Sequence, residues 1–367
     1  MNPTSDPLRQ TPFHSLHAGA GARFSPFAGY DMPVFYRGIY DEALAVRTTC
    51  GVFDVSHMAR LFFPESAQTF LQKLLTCNVA NLRRGVGAYA LILNEEGGIL
   101  DDVILFQKPD GGYLLVVNAG NHKKILDWIL ARGGSPEDAT FGTAMVAVQG
   151  PDAEKILRNM LHPAGDGPSL RDLRYFSIAA MEWIGIPGAV SLVSRSGYTG
   201  EDGFEITFPP SAAGAVWSRL VGANVVPCGL GARDVLRIEA GYSLYGSDMD
   251  ERSGPADAGL GFAVAAGVDF WGADALKVRP VRRRMTGIDA GEQPSVILRH
   301  GYPVLDGEVR VGEITSGVYS KYLKRSIAYA SIDALSPDRP VSVDVRGRRV
   351  PARCVNRRFV RGRVRSH

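Results

Sequence analysis

Two adjacent carboxylates at the foot of a hydrophobic run are the residues here best placed to do chemistry. Residues 94–106 read Asn-Glu-Glu-Gly-Gly-Ile-Leu-Asp-Asp-Val-Ile-Leu-Phe, so a two-glycine turn delivers Asp101 and Asp102 onto the start of an apolar strand. Side chains alternate along a strand, which sends the two acids to opposite faces. One can meet water while the other meets a cavity. An unpaired carboxylate is costly to bury, so an acid kept on so apolar a strand calls for a partner or a task. A solvated hairpin end is the plain alternative, because aspartates commonly flank turns.

Three further segments stand beside this one. The first is Phe27-Ala28-Gly29-Tyr30-Asp31-Met32-Pro33, followed by Gly51-Val52-Phe53-Asp54-Val55-Ser56-His57-Met58. The second is Ser194-Arg195-Ser196-Gly197-Tyr198-Thr199-Gly200-Glu201-Asp202-Gly203-Phe204-Glu205. The third runs from Cys228 through Gly-Leu-Gly-Ala-Arg233-Asp234 and Glu239-Ala240-Gly241-Tyr242 to Asp248-Met249-Asp250-Glu251. In this order the four segments resemble the aminomethyltransferase (T-protein) family of the glycine cleavage system, and the likeness runs from about Thr11 to about Arg361.

The resemblance implies a folate site. A pterin presents two donors on one edge, which the two oxygens of one carboxylate match. Its faces suit aromatic or apolar walls, and its glutamyl tail suits cations. On that resemblance Glu205 reads the pterin edge, Tyr198 and Tyr175 wall the ring, Met58 and Tyr89 line the pocket, and Asn118 adds a polar contact. Arg233 pairs with Glu205 or with the ligand, and Arg361, in the arginine-rich tail, is the expected contact for the glutamyl tail. The catalytic carboxylate is Asp102, with Asp101 its structural neighbour. Each has a plain alternative: Tyr198 as a loop anchor, Arg233 as a partner of Asp234. Gly229-Leu230-Gly231 lacks the third glycine and later acid of a dinucleotide fingerprint.

The implied reaction passes a one-carbon unit from an S-aminomethyl-dihydrolipoyl carrier protein (the H-protein) to tetrahydrofolate, a co-substrate. The products are 5,10-methylenetetrahydrofolate, ammonia and the free dithiol. A folate-dependent demethylase on the same fold, or a folate-binding accessory protein, are the alternatives. The Asp102 motif favours the first reading, and the Lys-Gly-Cys segment of accessory relatives is missing. Three departures from the family pattern stand out: Tyr30 for a usual Trp, Phe106 for a frequent Tyr, and Tyr319-Ser320-Lys321-Tyr322-Leu323-Lys324 for a usual Phe-Ser-Pro-Thr-Leu-Gly.

The elements that must position these residues are legible in outline. Helical periods occur at 41–47, 67–75 and 121–132, and strand-like runs at 61–63, 88–93, 102–107, 113–118, 144–149 and 189–194. Hairpin signals between them favour an antiparallel α+β fold over a doubly wound parallel sheet. Past a charged connector at 277–284 come short β runs at 284–288, 301–305, 309–314, 326–331, 341–345 and 350–355, the spacing of a small all-β barrel. The expected division is 1–276, a core of two interleaved subdomains, and 284–367, a C-terminal β-barrel. By resemblance the three parts form a clover leaf around a central folate site.

Composition bounds the rest. A chain of 367 residues, 45% hydrophobic and 22% charged, has the balance of a soluble protein with sizeable cores. No secretory core, membrane span or transit-peptide composition is evident, and the expected location is the cytoplasm. Cys50, Cys77, Cys228 and Cys354 are far apart and read as free thiols. No metal is expected: His14 and His17 share a helical face but lack a third ligand, and a surface role is expected of them. Arg346, Arg348, Arg349, Arg353, Arg357, Arg358, Arg361, Arg363 and Arg365 crowd one stretch, although 41 basic against 38 acidic residues leave a net charge of only +3. A solvated barrel edge is one reading of them. The other is a patch that steers an acidic carrier protein. Nucleic acid is not expected, since no aromatics alternate with these arginines.

Overall fold

A computed structural model describes residues 7–333 and 338–364. It holds a seven-stranded mixed sheet, a five-stranded antiparallel sheet, a closed barrel and a two-stranded ribbon of Arg23–Phe27 with Tyr30–Phe35. The first sheet runs Leu161–Pro163, Ile178–Trp183, Val190–Ser194, Gly203–Phe208, Ala144–Gln149, Gly51–Asp54, Val226–Pro227. The second runs Gly87–Leu93, Ile99–Gln107, Tyr113–Val117, Ala59–Phe63, Glu137–Asp138. Interleaving follows from chain order. The chain leaves the first sheet after Gly51–Asp54, builds the whole second sheet, and returns at Ala144–Gln149 to pair with the strand it left, Gly51 opposite Gln149. Every pairing is antiparallel except the short Val226–Pro227 contact with Gly51–Asp54.

The first sheet is covered on both faces. Phe204 and Ile206 pack with Val216, Trp217 and Leu220 of the Ala213–Gly222 helix. Phe53 and Ala147, on the opposite face, pack with Val235, Leu236 and Ile238 of the Leu230–Ala240 helix. Glu205 lies opposite Ala147, which lies opposite Phe53, so Glu205 faces the helix that carries Arg233. That helix ends where Gly241 takes a left-handed φ of 92°, with Tyr242 N–H returning to Arg237 O.

The second sheet buries Val103 and Leu105 against Ile125 and Ile129 of the His122–Ala131 helix. On its other face Phe106 meets Ile178 of the first sheet. Alternation puts Asp102 on this inner face, where the two sheets approach each other. The barrel closes through Arg284–Asp289, Arg325–Ile332, Val309–Ser320, Pro303–Asp306, Pro340–Val345 and Arg348–Val355. Closure leaves no free strand edge. Tyr329 and Ile327 of the barrel pack on the Leu230–Ala240 helix, which therefore touches barrel and sheet at once. Among the described residues no helix is long and apolar enough to cross a membrane.

Two expectations need correction. His17 is not a surface residue: it is fully buried, its Nε2 3.0 Å from Asp54 Oδ2 and its Nδ1 2.9 Å from the Tyr36 hydroxyl. Part of the connector is helical, Ala273–Val278. All four cysteines are buried and unpaired, and burial pushes the Cys50 thiol up to about 12, which suits a packing role rather than a nucleophile.

Candidate functional site

The turn before the aspartates is held by Asn94, whose Oδ1 accepts the N–H groups of Glu96 (3.1 Å) and Gly98 (2.7 Å). Leu93 then pairs with Ile99 but Ile92 with Asp101, so Leu100 is the extra residue of a β-bulge. Asp101 and Asp102 follow immediately. As expected from alternation, Asp101 is fully buried and Asp102 is half-buried on the inner face. Their carboxyl groups are nevertheless joined. Asn118 Nδ2 lies 2.8 Å from Asp101 Oδ1, 2.8 Å from Asp102 Oδ1 and 3.0 Å from Asp102 O. Two amide hydrogens are spread over three oxygens. Asp101 also accepts Asn118 N–H (3.1 Å) and Asn121 Nδ2 (2.6 Å), while the Tyr89 hydroxyl donates to Asp102 Oδ2 (3.0 Å).

Burial is the largest influence on both acids and raises both. The Asp102 charge raises Asp101 further, and Asp248 raises Asp102. The donors from Asn118, Asn121 and Tyr89 oppose this without reversing it. The two carboxyls titrate as a pair, which keeps a proton to higher pH than an ordinary carboxyl.

The second half of the site comes from the first sheet and its helix. Ser196 Oγ donates to Glu205 Oε2 at 2.6 Å, with Ser194 Oγ 2.8 Å from Ser196 Oγ. Glu205 Oε1 has no protein donor among the described residues. The Arg233 guanidinium carbon lies 4.8 Å from the centre of the Tyr198 ring, a cation–π distance. Tyr198 stacks on Tyr242 at 5.8 Å and donates its hydroxyl to Ser243 O. Burial raises the Tyr175 hydroxyl, and the neighbouring Tyr242 and Glu205 raise it further. Burial lowers Arg233, against the attraction of Glu205 and Tyr198, and its Nη1 is buried with no protein partner among the described residues. Tyr198 in turn lies in the field of Asp102, which joins the halves. Met58 packs with both the cluster beneath Phe53 and that around Phe106.

Asp102, Tyr89, Asn118, Tyr198, Tyr175, Glu205, Arg233 and Met58 thus converge. Glu205 is the third residue of the Gly203–Phe208 strand. Arg233 makes no ion pair with Glu205 or Asp234 among the described residues; Asp234 pairs with Arg237 at 2.8 Å. Arg361 is exposed, with no side-chain partner among the described residues. The arginine cluster is only partly free. Arg349 pairs with Glu308, Arg353 with Asp289 and Arg363 with Glu201, and Arg357 donates to Ser243, Ala258 and Gly259. Arg365 lies outside the described residues.

Sequence reasoning missed Asn121, Ser196 and Tyr242. Asn121 had a signal: Asn-Ala-Gly-Asn after a strand makes the Ala119–Asn121 turn, bringing two amides to one carboxylate. Replacing Asp101 by Asn turns its NH2 group toward at least one of these three donors, which the two carboxyl oxygens share. Asp101→Asn should lower the free energy of unfolding by about 1–3 kcal/mol, read by chemical denaturation. Unchanged stability would place no weight on this contact set.

The chain is matched by the family model for the GCVT N-terminal domain over residues 13–267 and by that for the glycine cleavage T-protein C-terminal barrel domain over residues 283–361. It is 40% identical to an aminomethyltransferase of Picosynechococcus sp., covering 96% of this chain and 98% of that one. It is 41% identical to one of Geobacillus kaustophilus, covering 96% and 99%. Its fold matches the crystal structure of glycine cleavage system aminomethyltransferase T from Bartonella henselae with a TM-score of 0.87 at 33% identity, covering 98% of this chain and 99% of that one. With the site geometry and both halves of the chain accounted for, this protein belongs to the glycine cleavage T-protein family of aminomethyltransferases.

Proposed function

We propose that this aminomethyltransferase takes its one-carbon unit from an S-aminomethyl-dihydrolipoyl carrier and delivers it to tetrahydrofolate between Asp102 and Glu205. The observation that carries the reading is the Asp102 carboxyl, held by Asn118 and Tyr89 on the inner face and electrostatically linked through Tyr198 to Arg233 and Glu205. Glu205 Oε1 and Arg233 Nη1 are the groups left free to take a polar ligand. Tyr198 and Tyr175 wall the ring between them. The exposed Arg361 is the cation for the glutamyl tail.

The folate N5 and N10 each form one bond to the arriving carbon. Its bonds to nitrogen and sulfur break. The two folate N–H protons end on ammonia and on the released thiol, so the exchange balances without an oxidant. Cationic character builds on the transferred carbon, and a fixed carboxylate beside it stabilises that charge and relays a proton. Holding N5 against the carbon supplies the proximity term. The test is tetrahydrofolate-dependent ammonia release from an aminomethyl-lipoyl carrier. Ammonia release without folate, or none with it, would overturn the reading.

The raised carboxyl pair gives a pH signature. Catalysis needs ionised Asp102, so kcat should fall on acidification with a midpoint above the ordinary carboxyl value of about 4. Asp101 is raised by the Asp102 charge and stays protonated while Asp102 ionises, so Asp101→Asn should leave this midpoint nearly in place. Stability runs the other way. A carboxyl raised by folding contributes stability that is complete below its unfolded pKa and is lost as pH rises through the folded one. A kcat midpoint near 4 in the wild type would show that the pair does not govern the rate.

Arg346, Arg348, Arg358 and Arg361, exposed and without ion pairs among the described residues, remain the part of the cluster able to steer an acidic carrier.

A further inference from the structure

Beyond the last barrel strand the chain crosses back over the core. Val360 N–H donates to Glu239 O at 2.8 Å, and Arg363 N–H to Gly200 O at 2.9 Å. A Cβ on Gly241 would meet Arg358 Cα at 3.3 Å, so the tail lies close on the end of the Leu230–Ala240 helix. The Arg363 side chain, half exposed, donates from Nη2 to Arg47 O (3.2 Å) and to the Tyr322 hydroxyl (3.4 Å), and its Nε lies 3.3 Å from Glu201 Oε2.

Beneath it is a buried charge group. Arg47, fully buried, pairs with Glu201 Oε1 at 2.9 Å and with Glu239 Oε2 at 2.7 Å, and donates to Thr199 O at 2.7 Å. Two carboxylates share one buried cation, and Glu201 Oε2 has no hydrogen-bond partner among the described residues. Arg363 supplies the second positive charge. Buried charge is tolerated where it is balanced, and removing one member leaves another uncompensated.

The segment so held is Thr199–Gly200–Glu201, next to Tyr198. Gly200 has a φ of 76°, and a Cβ there would lie 2.7 Å from Ala240 Cβ, so this backbone has little room to move aside. The tail also reaches the other anchor of Tyr198: Arg357 Nη1 donates to Ser243 Oγ at 3.1 Å, and Ser243 O accepts the Tyr198 hydroxyl.

We propose that Arg363 is a positioning residue: it completes the Arg47–Glu201–Glu239 charge group, fixes the Gly200–Glu201 backbone, and so holds the Tyr198 ring against Tyr242 and within cation–π distance of Arg233. Tetrahydrofolate affinity then depends on the tail of the barrel domain. The inference rests on Tyr198 being a wall of the folate site. Tyr322 belongs to the segment that departs from the family pattern, so part of this tie comes with that departure.

The experiment compares wild type, Arg363→Gln and Arg363→Lys in the full chain, by calorimetric titration with tetrahydrofolate, steady-state kinetics and hydrogen exchange of the 198–201 amides. Arg363→Gln should raise the folate Kd roughly three- to tenfold, leave kcat at saturation and the carrier KM within about twofold, and speed exchange of these amides. Arg363→Lys, which keeps the charge, should recover much of the affinity. In a Glu201→Gln background the Arg363→Gln change should have little further effect. The Lys comparison serves if that background does not fold. An unchanged Kd with unchanged exchange would overturn the proposal, and so would a raised carrier KM at unchanged Kd. A wild-type chain that binds no folate would sink the functional reading, while the exchange data would still decide whether Arg363 holds the loop.

Discussion

Asp102→Asn is expected to lower kcat at least about tenfold at saturating folate and carrier, with little change in melting temperature. The substitution keeps shape and removes charge. A carboxamide at this position can still accept one hydrogen bond, from Tyr89 or from Asn118, which both reach Asp102 in the wild type. It cannot stabilise a cationic carbon or hold a transferable proton. A tenfold loss corresponds to about 1.4 kcal/mol of transition-state stabilisation, a modest demand on one fixed carboxylate in a partly desolvated site. The sharper comparison is with Asp101, which is fully buried and accepts three nitrogen donors. Its substitution should appear mainly as lost stability. If Asp101→Asn instead abolished turnover while Asp102→Asn kept the wild-type kcat, the roles of the two strand faces would be exchanged. Single-turnover measurement with preloaded aminomethyl carrier separates the chemical step from product release.

The barrel shows how far periodicity carries. The expected run at 309–314 continues to Ser320, because a bulge leaves Thr315 unpaired between Ile314, opposite Ala330, and Ser316, opposite Tyr329. A bulge breaks the two-residue period, so Thr-Ser-Gly reads as a turn when it is strand. Both hydroxyls left at the break turn to Asp248, Thr315 Oγ1 at 2.6 Å and Ser316 Oγ at 2.7 Å, and Asp248 holds Arg237. Nothing local announces that network, since its members are 67 and 68 residues apart. Arg47 makes the same point. At the end of a short helix it reads as a cation facing the helix dipole, yet it is fully buried between Glu201 and Glu239. The converging residues were found from long motifs, which carry spatial information that local propensity lacks. The groups that brace them, Asn121, Ser196 and Tyr242, sit in turns and strand interiors with ordinary sequence context. Of the departures from the family pattern, Lys321 pairs with Asp41 and Tyr322 contacts Arg363, so that segment is spent on internal ties. Phe106 packs in the apolar seam with Leu114, Val116 and Ile178.

Glu205→Gln is expected to weaken tetrahydrofolate binding roughly ten- to hundredfold while slowing the bound complex much less. The two oxygens of an ionised carboxylate accept from two donors on one pterin edge. A carboxamide offers one neutral acceptor and turns an NH2 toward the remaining donor. Hydrogen bonds to charged groups are each worth about 1.5–3 kcal/mol, so losing one and opposing another supports a change of that size. The fold should survive, because Ser196 Oγ, which donates to Glu205 Oε2 in the wild type, can accept from an amide equally well. Arg233 gains no new partner in the variant, and its buried Nη1 stays unsatisfied without ligand. The loss should therefore appear in Kd for folate and in kcat/KM, with kcat at saturation within a few-fold of wild type. Calorimetric titration measures the first and steady-state kinetics the second. An unchanged Kd would remove Glu205 from the pterin edge. A collapse of kcat at unchanged Kd would make Glu205, rather than Asp102, the carboxylate that acts on the transferred carbon.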